Sequence, residues 1–201
     1  MKNTLILILA VFFSVVSSGQ SVESTWKTLF DGSNLEEWKI PENNIWWSIE
    51  EGVLWAKSDP NQVGSILWTK QEYTNFVVQL DFKFGDGIVD TGIFMRGENR
   101  KNVQIQIGES GSLKRDMTAS PYVPSMGYPV EAEGVKDLLK VKDWNTIRAE
   151  AVGASYRVWL NGTLVMSYEL ENANLKGPVG IQLHPGKDMT VQFKNIVIAE
   201  L

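Results

Sequence analysis

Apolar and polar residues take turns along most of the chain after residue 20. Phe76, Val78, Leu80, Phe82 and Phe84 alternate with Val77, Gln79, Asp81 and Lys83, the period of two that a strand shows when one of its faces is buried. Tyr156, Val158 and Leu160 lead into Asn161-Gly162, and Leu164, Met166 and Tyr168 follow. Both turn residues tolerate the positive φ of a type I′ turn, so this spacing predicts a hairpin over 156–169. The same Asn161-Gly162-Thr163 also reads as a glycosylation sequon, although the turn already accounts for it. Val179, Ile181 and Leu183 alternate with Gly180, Gln182 and His184, and a last strand runs from about Met189 to Leu201. Its apolar parity shifts between Phe193 and Ile196, which predicts a β-bulge near Lys194-Asn195. The only helical candidate is 135–141. Residues 110–134 are rich in Gly, Ser, Pro and Tyr without any period, and a loop that long inside a compact domain usually carries function. These elements predict an all-β fold, a two-sheet antiparallel β-sandwich.

Two neighbouring segments carry the first chemical signal. In GIFMR at 92–96, and just before it, Thr91, Ile93 and Met95 point one way while Asp90, Phe94 and Arg96 point the other. In NVQIQIGE at 102–109, Val103, Ile105 and Ile107 turn to the core while Asn102, Gln104 and Gln106 line the opposite surface. A ring beside an arginine, a carboxylate and several amides suits a polyhydroxylated ligand. The ring stacks on the ligand's apolar face and the polar groups bond its hydroxyls. The expected partner is a carbohydrate.

Composition narrows the setting. The chain opens with Lys2 and an apolar run from Leu5 to Val16, closed by Ser17, Ser18 and Gly19. This is the layout of a secretory signal peptide, short for a membrane span. It predicts cleavage of 1–19, a single sandwich domain over 20–201 with no stable membrane span, and a periplasmic or secreted protein; a retained anchor is the alternative. With no cysteine, disulfides and a thioether-linked lipid are excluded. The formal charge of −5 becomes −6 once Lys2 is removed, and no basic cluster remains, which argues against nucleic acid as a partner. A domain of this size buries about 70% of its unfolded surface, enough for a core to supply the stability.

The residues also resemble a known family. LFDGSNLEEW at 29–38, EEGVL at 50–54, YTNFVVQLDFKF at 73–84, DTGIFMR at 90–96, DWN at 143–145, WLNG at 159–162, GPVGIQLH at 177–184 and FKNI at 193–196 follow one another as in the 3-keto-disaccharide hydrolase domain family, also known as domain of unknown function 1080. Each motif alone is weak, and eight in order are specific. The resemblance implies a concanavalin A-like jelly roll with a concave sugar-facing sheet. It implies secreted or periplasmic bacterial proteins acting on glycosides oxidised to a ketone at C3. Such a ketone acidifies the hydrogen on C2. A base removes it, and the enolate expels the glycosidic oxygen from C1; adding water to the enone completes a hydrolysis. The site then needs a base, a group to hold the enolate oxygen and a donor for the leaving group.

Candidate residues follow. His184, the only histidine, stands at the family's Gln-x-His position and is a natural base or metal ligand near neutral pH; a satisfied histidine ending a strand before Pro185-Gly186 is the alternative. Arg96 is expected either to bond the keto or enolate oxygen or to pair with Asp90 on the sheet surface. Glu109 keeps the second acid of a family pattern whose first acid is replaced here by Gln104, so Gln104 can bind but not act as a base. Asp90, Phe94, Gln104, Gln106 and Gln182 are the expected substrate-binding groups of the polar face. Of eight tryptophans most are expected in the core; Trp55, with Phe94, is the preferred stacking platform. Tyr122 and Tyr128 of the long loop either close over a sugar or pack the loop. No zinc spacing, P-loop, dinucleotide fingerprint or G-x-S-x-G is present. A divalent cation held by carboxylates and His184 stays open, and its ligands cannot be read from spacing. The leading expectation is a glycoside hydrolase or lyase acting on 3-keto-glycosides, with His184 or Glu109 as acid/base and Arg96 polarising the ketone. The alternative is a non-catalytic carbohydrate-binding module on the same fold.

Overall fold

The computed structural model describes residues 25–201, so the expected signal segment lies outside the described residues. The strands run, in chain order, β1 (Lys27–Phe30), β2 (Trp38–Lys39), β3 (Trp47–Glu50), β4 (Val53–Lys57), β5 (Ser65–Tyr73), β6 (Phe76–Gly87) and β7 (Asp90–Phe94). After these come β8 (Gln104–Gly108), β9 (Pro121–Tyr122), the short helix α1 (Val135–Leu138), β10 (Asn145–Val152), β11 (Ser155–Leu160), β12 (Thr163–Glu169), β13 (Gly177–Leu183) and β14 (Met189–Glu200). One antiparallel sheet has the order β12-β11-β10-β6-β14-β4-β3, with β1 also paired to β14; the other has the order β2-β5-β13-β7-β8-β9. The fold is all-β, a two-sheet antiparallel sandwich of the jelly-roll type. No helix among the described residues is long and apolar enough to cross a membrane.

The alternation in the sequence is what drives the two sheets together. Phe76, Val78, Leu80 and Phe82 on β6 are fully buried, as are Ile93 on β7 and Ile105 and Ile107 on β8. Each such side chain contributes roughly 1.5–3 kcal/mol by leaving water. The Asn161-Gly162 hairpin forms as the alternation predicts, with φ of 49° and 86° at the two turn residues. Asn161 also accepts from Thr146 N and donates to Leu138 O, tying the hairpin to β10 and α1. The register of β14 against β6 shifts between Lys194 and Val197, and Asn195 has a φ of 51°, which is the predicted bulge. It lets one strand hold β1 on one half of its length and β4 on the other.

Candidate functional site

The six-stranded sheet brings its polar face together by register. Across β8, β7 and β13, Gln106 pairs with Gly92 and Gly92 with Gln182; one row along, Gln104 pairs with Phe94 and Phe94 with Gly180. Leu183 pairs with Thr91, so the next step of the same register sets His184 opposite Asp90. Small and large residues alternate across these rows, and the glycines make room. A Cβ on Gly92 would lie 2.5 Å from Gln104 Nε2; without it, that amide reaches across the strand and donates to Gln182 Oε1 at 2.7 Å. A Cβ on Gly180 would run into the Trp68 ring, which instead lies over the strand toward Phe94, with ring centroids 5.3 Å apart.

Above this face lies a cleft of about 620 Å³, within the range of small-ligand sites. Asp90, Phe94, Gln104, Gln106, Gln182 and His184 line its floor, and the long loop supplies a wall that includes Ser110, Gly111, Tyr122 and Tyr128. The two tyrosine rings pack with centroids 5.2 Å apart. Burial pushes the Tyr128 hydroxyl up to about 12; the Asp90 and Tyr122 charges add to this, and the Ser110 hydroxyl offsets part of it.

Asp90 and His184 form the chemical centre of the cleft. Asp90 Oδ1 accepts from Gln106 Nε2 at 2.9 Å. Oδ2 is buried and has no hydrogen-bond partner, yet it lies 4.0 Å from His184 Nδ1. His184 Nδ1 is 2.6 Å from Pro185 O. A carbonyl can only accept, so this contact selects the Nδ1–H tautomer and leaves the Nε2 lone pair free. An imidazole so held can take a proton at Nε2, with a buried carboxylate beside it to stabilise the cation. Among the described residues no group of three or more His, Cys, Asp or Glu side chains comes together to hold a metal ion.

Three expected site residues lie elsewhere. Arg96 is 1% exposed. It donates to Thr74 O, Gly153 O and Asn174 O and to the Tyr156 hydroxyl, and its guanidinium lies 5.6 Å from the Tyr156 ring centroid. Strand β7 ends at Phe94, so alternation no longer governs Arg96, and it turns into the junction of three connecting segments. The expected pair with Asp90 does not form, because that carboxylate is bonded to Gln106 instead, and the buried guanidinium does not line the cleft, which leaves no support for the keto-oxygen role. Asn102 belongs to the same junction and donates to Arg96 O and Gly97 O. Glu109 also leaves the face. Gly108 ends β8 at a φ of 90°, a conformation cheap only for glycine, and Glu109 turns into a neighbouring cleft beside Asp86, Asp116 and Lys142. Trp55 sits on β4 of the other sheet, between the inward Leu54 and Ala56, and so points away from the sandwich core on the sheet opposite the cleft.

The aromatic contribution is also redistributed. Phe94 lines the cleft but is only 4% exposed, leaving Trp68 as the half-buried ring on that face. The signal for Trp68 was its parity: Leu67 and Thr69 are buried to either side. Its pairing with Gly180 was not readable without register.

The comparisons with known proteins agree with this architecture. A candidate glycosyl hydrolase from Parabacteroides distasonis ATCC 8503 superposes with a TM-score of 0.68 at 26% identity, over 88% of this chain and 100% of its own. A second from the same organism gives 0.68 at 19% identity, over 93% and 98%. The Bacillus licheniformis β-glucanase gives 0.62 at 14% identity, over 90% and 100%, a likeness of fold. No curated protein matches the sequence. The family model of 3-keto-alpha-glucoside-1,2-lyase-like domains matches residues 25–199, nearly the whole sandwich with its cleft, and the chain belongs to that family.

Proposed function

We propose that the cleft binds a 3-keto-glycoside and cleaves it by elimination, with His184 as the base. The observation that carries this reading is the convergence of Asp90, Gln106, Gln182 and His184 on one cleft, with a free imidazole nitrogen beside a buried carboxylate. The family's description and the glycosyl-hydrolase likeness of the relative at 26% identity support the substrate class.

In this reading His184 Nε2 takes the C2 proton and Asp90 stabilises the imidazolium across the 4.0 Å separation. Asp90 itself is too enclosed to reach a substrate hydrogen. Gln182 has its oxygen engaged by Gln104, so its NH2 is left to donate to the keto oxygen as that oxygen gains charge. The Tyr122–Tyr128 pair on the cleft wall holds the sugar's apolar surface. Collapse of the enolate breaks the C1–O bond and leaves the enone. Hydration, if it follows, completes a hydrolysis.

The test is incubation of the purified protein with a 3-keto-glucoside while following aglycone release. His184→Ala is expected to slow release by roughly 10²-fold or more, the usual loss for an acid/base residue. Binding without any turnover by wild type would favour a carbohydrate-binding module instead.

A further inference from the structure

Elimination needs a second proton besides the one removed from C2. The departing glycosidic oxygen leaves as an alkoxide unless a donor meets it, and the cleft holds two phenols, Tyr122 and Tyr128, so far given only a packing role. Tyr128 projects from the long loop into the wall of the cleft. Its ring is fixed against Tyr122, and its hydroxyl end lies beside Ser110 and within electrostatic reach of Asp90. The other cleft donors are less suited. The Gln104 and Gln106 amides are engaged with Gln182 and Asp90. Lys114 is exposed at the rim, and Lys187 stands in the turn after Pro185-Gly186; both carry their charge on flexible four-carbon stems.

Resting on the elimination reading, we infer that Tyr128 is a catalytic residue, the general acid that protonates the leaving oxygen. The step balances without any outside reactant. The C2–H bond breaks and its proton goes to His184 Nε2, the C2 electrons become the C1–C2 double bond, the C1–O bond breaks, and the Tyr128 proton passes to the departing oxygen. The phenolate then regains a proton from the imidazolium through solvent, and the products are the enone and the free alcohol. A phenol held up to about 12 stays protonated at neutral pH, and an alkoxide is a much stronger base than the phenolate it leaves behind.

A leaving-group series tests the inference. With 3-keto-glucosides of nitrophenols, which depart without help, Tyr128→Phe is expected to lose less than about 3-fold; with simple alkyl alcohols it is expected to lose roughly 10²-fold. Uptake of solvent deuterium at C2 depends on His184 and is expected to continue at the wild-type rate in Tyr128→Phe, which also reports that the variant is folded. An equal loss for both leaving groups, a parallel loss of C2 exchange, or the same leaving-group dependence appearing in Lys187→Ala with Tyr128→Phe unaffected would each overturn the assignment. Failure of wild type to cleave either class is a different result: it overturns the elimination reading, and Tyr128's role with it.

Discussion

Asp90 Oδ2 lies 4.0 Å from His184 Nδ1 and has no hydrogen-bond partner of its own. Asp90 opens β7 and His184 directly follows the adjacent β13, and the Nδ1–H is directed to Pro185 O while Nε2 is free. The carboxylate therefore adds little until the imidazole gains its proton, when a half-exposed cation meets a buried carboxylate. Asp90→Asn keeps the Gln106 contact available through the amide oxygen and removes the charge. It is expected to lower kcat on a 3-keto-glycoside by about 10-fold, the equivalent of about 1.4 kcal/mol in the barrier, with KM little changed. A change confined to KM would make Asp90 a binding group alone.

Gly111 keeps the space over this pair open. A Cβ there would lie 2.9 Å from Asp90 Oδ2 and 4.0 Å from His184 Cε1. Asp90 is buried and tethered to Gln106, so it cannot move aside cheaply. Gly111→Ala is expected to cost about 1–3 kcal/mol of stability, the usual range for overpacking, and to depress cleavage further than that loss explains. Thermal unfolding and kcat/KM on the same preparation check both parts.

Arg96 makes its bonds to carbonyls and a hydroxyl of separate chain segments. Replacing it with Met strands those neutral acceptors in a buried junction and is expected to destabilise the fold by at least about 1–3 kcal/mol, the usual cost of one buried unsatisfied polar group. The folded fraction should keep wild-type turnover. Urea unfolding measures the first effect, and active-site-normalised rates the second; a rate loss at unchanged stability would return Arg96 to the chemistry.

Tyrosines give the fold an alkaline limit. Burial, helped by the Glu37 and Glu200 charges, pushes Tyr73 up to about 12, and burial holds Tyr128 near the same value. Their ordinary value is 10.0, so the unfolded chain ionises first. The neutral phenols' stabilising share is then complete below pH 10 and is lost as pH rises from 10 through about 12. Denaturation midpoints should be flat with respect to these groups from pH 7 to 9 and fall above 10, and tyrosinate absorbance should show three residues titrating late, Tyr73, Tyr128 and Tyr156, the last also raised by burial. Early titration of all five tyrosines would contradict this.

What could be read from residues alone divides along a physical line. Alternation is local, so the strands, the Asn161-Gly162 hairpin and the bulge near Asn195 were legible, as was the polar face holding Gln104, Gln106 and Gln182. The long loop from 110, expected to carry function, supplies one wall of the cleft. Alternation carries no information where a strand ends, and it failed for Arg96, just past β7, and for Glu109, just past the left-handed Gly108. It also cannot say which sheet a strand joins. Trp55 was misplaced for that reason, and Trp68 was overlooked because its glycine partner sits more than a hundred residues away, at Gly180. The Asp90–His184 pair depends on the same kind of long-range register.

The sheet order also has a meaning in time. Strand β14 is synthesised after β1 to β13, yet it lies in the middle of its sheet, between β6 and β4, and it also receives β1. Until it emerges from the ribosome, one edge of β6 and one edge of β4 have no neighbour, and β1 has nothing to pair with. Pairings this distant in sequence are slow to form. The eight-stranded sheet is therefore held back from closing until β14 is made, and the segments before it wait as an open polypeptide rather than as a folded domain.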